Sequence, residues 1–144
     1  MSNDECLEND EARMTNGRRA GRSFMVNDGA RQFDLEERTA RFGESIIAFA
    51  KRIALNVITE PLLGQLVKSA TSIGANYCEA DDAGSNKEFR YRISVCKRES
   101  RESKHWLRMI VAAEPDHKSD ARVLWQEAKE LHLIFAAIFR SRGR

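Results

Sequence analysis

The sequence predicts an all-α protein, an up-down-up-down antiparallel four-helix bundle that associates with copies of itself. Three observations predict it. Only 8 Gly and 2 Pro occur in 144 residues, too few for a many-stranded sandwich or barrel, which needs a turn signal roughly every 8–12 residues. Hydrophobic residues make up 42% and charged residues 32%, enough for one core under a heavily charged surface. From Asp34 onward, apolar residues recur at alternating steps of four and three, the signature of helices packed along heptad seams.

Residues 1–32 stand apart from this pattern. Acids come first (Asp4, Glu5, Glu8, Asp10, Glu11), followed by Arg13, Arg18, Arg19 and Arg22, with few large apolar residues and no period. The expectation is a disordered N-terminal tail over 1–32 and a bundle domain over 33–144.

The first helix is expected to open at Asp34, with Glu37 at the spacing of a capping box. Its seam reads Leu35, Thr39, Phe42, Ile46, Phe49, Ile53. A second seam, Ala40, Gly43, Ile47, Ala50, Ala54, calls for a second neighbour. The second helix starts near Thr59, with Pro61 in the first turn, where a missing N–H costs nothing. Its seam is Leu63, Leu66, Ala70, Ile73, Tyr77, Ala80, and Lys68 is the one charge between Pro61 and Cys78. A helix with so little charge is covered on most sides. Asp81-Asp82-Ala83-Gly84 breaks the pattern, and Ser85 with Glu88 forms the capping box of the third helix. That helix carries Phe89, Ile93, Cys96, Ser100, Ser103, Leu107 and Ile110, a seam with two small polar residues at its middle. Pro115 ends it. The fourth helix begins near Ser119 with the seam Leu124, Ala128, Leu131, Phe135, Ile138 and finishes in a basic run.

Net charge is only +2, so a partner signal has to come from charge placement. With Ile93 at heptad position a, Lys87, Arg101 and Arg108 fall at b, Arg90, Lys97 and Lys104 at e, and Arg98 at f. These positions cover about 100° of the helix surface, and no acid shares them. Glu88, Glu99 and Glu102 lie on the other flank, with Arg92. A one-signed row of this length suits a phosphate backbone. The competing reading is a solvated face, or one paired with acids such as Glu36, Glu37 or Glu44. No aromatic stacking platform accompanies the row, so sequence-specific base readout is not expected.

Other chemistries lack their residues. Glu102 and His105 have the spacing of a di-iron helix motif, but such sites need a second pair and two further glutamates. The other match, Glu114 and His117, straddles Pro115. Cys78 and Cys96 have no evident histidine partner, and no Gly-rich phosphate loop occurs. No catalytic residue, metal, cofactor or small-molecule substrate is therefore expected. Asn76 and Glu79, with Glu99 and Glu102, could bond across helices and fix register. Three cysteines without metal spacing, an acidic N-terminus and no apolar run of about 18 residues point to a cytoplasmic protein without a membrane span.

The run Ser69-Ala70-Thr71-Ser72-Ile73-Gly74-Ala75-Asn76-Tyr77, followed by Glu79-Ala80, resembles the signature of the bacterial 23S rRNA intervening-sequence protein family. Phe33-Asp34-Leu35-Glu36 and Arg98-Glu99-Ser100-Arg101-Glu102-Ser103, through Trp106-Leu107, resemble its other two blocks. The resemblance spans about residues 33–140. It implies a small helical bundle forming a ring-like homopentamer, without established enzyme activity. Similar bundles serve as accessory proteins of diversity-generating retroelements, where a basic pentamer engages RNA and a reverse transcriptase. Ser72, Asn76 and Glu79 carry over as signature residues of structural character. The combined expectation is a non-enzymatic oligomer binding RNA or another nucleic acid through Lys87, Arg90, Lys97, Arg98, Arg101, Lys104 and Arg108. The alternative is a protein-interaction scaffold or accessory protein with no direct nucleic-acid contact.

Overall fold

The computed structural model describes residues 28–143, with side chains described from Leu35 onward. Among the described residues there are four α-helices, one short 3-10 turn and no strand. They are α1 (Asp28–Lys51), α2 (Thr59–Asp81), α3 (Asn86–Ala113) and α4 (Lys118–Ser141), with the 3-10 turn Pro115–His117 leading into α4. The tail expected over 1–32 lies, up to residue 27, outside the described residues. Helix α1 starts six residues before the anticipated cap at Asp34. Ala30, Arg31 and Gln32 are good helix formers, so the backbone continues N-terminally rather than stopping at the Asp34 signal.

The heptad seams become the core. All six residues of the first expected seam are buried, Thr39 among them and Ile53 just past the end of α1 at Lys51, and so are all six of α2. Ile46, Leu66, Ile73, Ile93, Leu107 and Leu131 are completely shielded from solvent. Burying each such side chain stabilises the fold by about 1.5–3 kcal/mol. In α4 the expected seam residues Ala128, Leu131 and Phe135 are fully buried. Ala121 and Trp125 face inward, while Leu124 and Ile138 sit at the edge of the core.

Where α1 and α2 meet, the residues are small. A Cβ added at Gly74 would stand 3.3 Å from Thr39 Oγ1, and one at Gly43 would stand 3.7 Å from Thr71. At the middle of the α2–α3 contact the Ser69 and Ser103 hydroxyls lie 3.0 Å apart, both buried. Ser69 Oγ also reaches Leu66 O at 3.1 Å, and Ser103 Oγ reaches Glu99 O at 2.9 Å. Two hydroxyl protons thus serve three oxygen contacts, and the serines share rather than saturate them.

The connections follow local chemistry. Asn56 Oδ1 accepts from the backbone N–H groups of Ile58 and Thr59, both at 2.9 Å. Thr59 Oγ1 donates to Ala54 O at 2.7 Å and accepts from Asn56 N at 3.0 Å. The start of α2 is therefore closed by the loop before it. At α3, Ser85 Oγ accepts from Glu88 N at 3.1 Å. Glu88 Oε2 in turn accepts from Gly84 N at 3.3 Å, a capping box shifted by one residue on its return arm.

Helix α4 is tied to α1 by ion pairs. Arg38 spans Glu127 at 2.6 Å and Glu130 at 2.7 Å, and Arg52 meets Asp120 at 3.1 Å. His117 stands edge-on to Phe49, with ring centroids 6.1 Å apart.

Candidate functional site

Helix α3 is 28 residues long, about 42 Å at 1.5 Å per residue. Its basic row sits on the flank facing α4. Lys87, Arg98 and Arg101 are exposed, whereas Arg90, Lys97, Lys104 and Arg108 are half-buried. The half-buried e-position bases lie against rings of α4. Arg90 Cζ is 4.4 Å and Lys97 Nζ 5.7 Å from the Phe139 centroid. Lys104 Nζ lies 5.2 Å from the Trp125 ring, which Lys129 of α4 approaches to 5.5 Å. Near the same end as Phe139, the Arg142 guanidinium covers Phe89 at 4.7 Å. These separations are within cation–π range, where a ring face attracts a cation without neutralising it.

Arg98 approaches Glu99 at 3.9 Å, a long and partly exposed contact of small energetic weight. Of the acids proposed as competitors, Glu37 pairs with Arg41 on its own helix. The basic flank also acts on its neighbour His132 of α4. Burial, and then Lys104, Lys97 and Arg101, hold its imidazole below the usual histidine range.

The α4 contribution was not visible from heptads alone. Phe139 and Trp125 were not assigned to this flank, because the register of α4 against α3 is a tertiary quantity. A signal was available in the spacing: Trp125, His132 and Phe139 recur every seven residues, as do Arg90, Lys97 and Lys104.

The signature residues of α2 meet α3 at a different flank. Asn76 Nδ2 donates to Ser72 O and Ser72 Oγ, both at 2.9 Å. Asn76 Oδ1 accepts from Arg92 Nη1 at 3.2 Å, and Arg92 Nη2 stands 3.9 Å from Glu79. Arg92 of α3 thus joins Asn76 to Glu79, and Ser72 is held through Asn76; the expected α3 partners of Asn76 and Glu79 were Glu99 and Glu102. Burial first, and then the nearby Glu102, raises the Glu99 carboxyl above its ordinary value. The Cys96 thiol, buried against the Ile73 carbonyl at 3.5 Å, is pushed up to about 12, mainly by burial. The exposed Cys78 thiol is also raised, so neither has the lowered value of an activated nucleophile. Among the described residues no three His, Cys, Asp or Glu side chains converge as a metal cluster needs. No described helix is long and apolar enough to cross a membrane.

Four packed helices with a ring-backed cationic flank define an all-helical protein with no strand among its described residues. The chain belongs to the 23S rRNA-intervening sequence protein family, whose model matches residues 31–137. A crystal structure from Bacteroides thetaiotaomicron VPI-5482, described as a protein with unknown function from the S23 ribosomal protein family, has a similar fold. Its TM-score is 0.66 at 20% identity, covering 76% of this chain and 97% of that one. No curated protein matches the chain.

Proposed function

We propose that the chain is a non-enzymatic, up-down-up-down four-helix bundle that self-associates and binds RNA or another nucleic acid through the basic flank of α3. The observation that carries this reading is the one-signed row backed by rings, with the acids of α3 on the opposite flank. Lys87, Arg98 and Arg101 form its exposed part, and Arg90, Lys97, Lys104 and Arg108 its half-buried part. Contact pairs such as Asn76 with Arg92, Ser69 with Ser103 and Arg38 with Glu127 support antiparallel neighbours throughout. Ile47 of the second α1 seam is 41% exposed and Ala40 and Ala54 are also exposed, which supports association with further copies. A ring of five, as the family resemblance implies, would repeat the basic flank and add weak contacts together.

The test is a triple charge reversal, Lys87→Glu, Arg98→Glu and Arg101→Glu. These side chains are exposed, so the core stays intact. RNA retention should be lost and its salt dependence flattened by a log–log slope of about 2–3, while helicity and assembly mass by light scattering stay unchanged. Undiminished retention would refute the proposal. A second reading, a protein-interaction scaffold or accessory protein without nucleic-acid contact, is favoured by the α1–α2 loop. There Leu55, Val57 and Ile58 are 71%, 88% and 62% exposed.

A further inference from the structure

The basic flank contains a repeating arrangement that the count of bases alone does not reveal. Along α4, Phe139, His132 and Trp125 lie seven residues apart, about 10 Å of helix axis per step. Along α3, Arg90, Lys97 and Lys104 have the same spacing. The two rows interleave. Phe139 lies under Arg90 and Lys97, and Trp125 lies under Lys104. His132 occupies the middle rung, within the fields of Lys97, Arg101 and Lys104. Of the three rings in the row, it alone can change its charge near neutral pH.

The α3 charges that act on His132, those of Lys104, Lys97 and Arg101, are of one sign. Lys129, three residues earlier on α4, lies over the adjacent Trp125 ring. The α4 acids Glu127 and Glu130 are turned to the other side of that helix, where both bind Arg38 of α1. His132 is half-buried and keeps an edge in solvent. Cations beside an imidazole disfavour its charged form, and an anion entering among them offsets that effect. That anion lowers the local potential and makes the imidazolium favourable.

We propose that His132 is the centre of a phosphate subsite, taking up one proton from solvent when a nucleic-acid phosphate docks among Lys97, Arg101 and Lys104. Binding of RNA is then tighter at mildly acidic than at mildly basic pH. This inference rests on the nucleic-acid reading above and adds to it a proton-linked contact at one residue.

The experiment uses the full chain and an oligouridylate of about 20 nucleotides carrying a rhodamine label, whose charge and emission do not change between about pH 5.5 and 8. Uracil and the phosphodiester do not titrate between about pH 5.5 and 8, so a change in affinity there reports the protein. Anisotropy titrations at fixed ionic strength should show affinity rising about fivefold to tenfold from pH 8 to pH 5.5, since each unit of pKa gained on binding is worth up to tenfold. His132→Gln should match the parent at pH 8 and lose the rise. His105→Gln with His117→Gln should keep it. In NMR spectra the His132 imidazole should titrate at higher pH in the complex than in the free protein. A rise of equal size in His132→Gln, or a flat profile in the parent, overturns the inference while leaving RNA binding intact. Absence of RNA binding at every pH overturns the nucleic-acid reading and this inference with it.

Discussion

The Ser69–Ser103 contact offers a sharp test of how α2 and α3 are held together. Both hydroxyls are buried, at 2% and 0% exposure, and each also has a carbonyl of its own helix within reach. Replacing either serine with alanine removes the same interhelical hydrogen bond, worth about 1 kcal/mol net. The surviving hydroxyl keeps its intrahelical acceptor and is not orphaned. Alanine also returns roughly 0.3–0.5 kcal/mol through its better helix propensity. Ser69→Ala and Ser103→Ala should therefore each cost about 0.5–0.7 kcal/mol. The double variant loses that one bond only once and gains the propensity twice, so it should be no less stable than either single variant. The coupling energy of the cycle is then about 1 kcal/mol. Urea unfolding at one fixed protein concentration measures it, with equal m-values as the control for unchanged cooperativity and with association held constant. If the two losses simply add, the hydroxyls do not share a bond and the proton count given above is wrong.

Further outcomes follow from other contacts. Gly74→Ala should fail to stabilise the protein, although alanine favours the helix by about 1 kcal/mol. Thr39, 3.3 Å from the new methyl, is buried and bonded to the Leu35 carbonyl at 2.8 Å, and overpacking costs about 1–3 kcal/mol; a higher urea midpoint would show that α1 yields freely. Alkaline pH should destabilise the fold. Cys96 and Tyr77 are both raised to about 12 in the folded state, so their contribution is complete below the ordinary thiol and phenol values of 9.0 and 10.0 and is lost as pH climbs toward 12. Chemical denaturation from pH 7 to 11 reads this, and Cys96→Ala should reduce the slope. Glu99→Gln should raise the urea midpoint at pH 7 and leave it unchanged at pH 3. The folded carboxyl is raised, so stability falls as pH climbs through its titration; a lower midpoint at pH 7 would assign Glu99 a stabilising ion pair. At pH 7.5 an alkylating reagent should label Cys78 and spare Cys96 until unfolding, as peptide mass mapping will show.

Much of the fold was legible because each helix repeats its apolar residues with a period its backbone enforces. Leu35 through Ile53 and Leu63 through Ala80 were assigned inward by spacing alone, and every one of those seam residues is buried. Two serines in the α3 seam announced a narrow, polar waist, and the Ser69–Ser103 contact realises it. Boundaries were harder to read. Asp34 is a good cap in isolation, but nothing in the four residues before it breaks a helix, and α1 runs through it. The inward face of α4 was read correctly at Ala128, Leu131 and Phe135 and missed at its start, where Leu124 and Trp125 are both apolar and the larger indole takes the core. The role of Arg92 stayed hidden for a different reason. Its partners Asn76 and Glu79 lie on another helix, and heptad position gives direction around one axis but no height along its neighbour. The same gap concealed the rings beneath the bases.

Those rings have a consequence for how quickly and cheaply an anionic surface could be gripped. A lysine or arginine standing free in water must surrender rotamer freedom on contact, about 0.5–1.5 kcal/mol for each side chain immobilised. One clasped by a carboxylate must first exchange that anion for another. Arg90 and Lys97 rest on Phe139, so their stems are settled during folding while their charge remains outwardly felt. Such a flank is preorganised: its entropy loss is already absorbed by the core beneath it, and an incoming polyanion meets a surface that has little left to arrange.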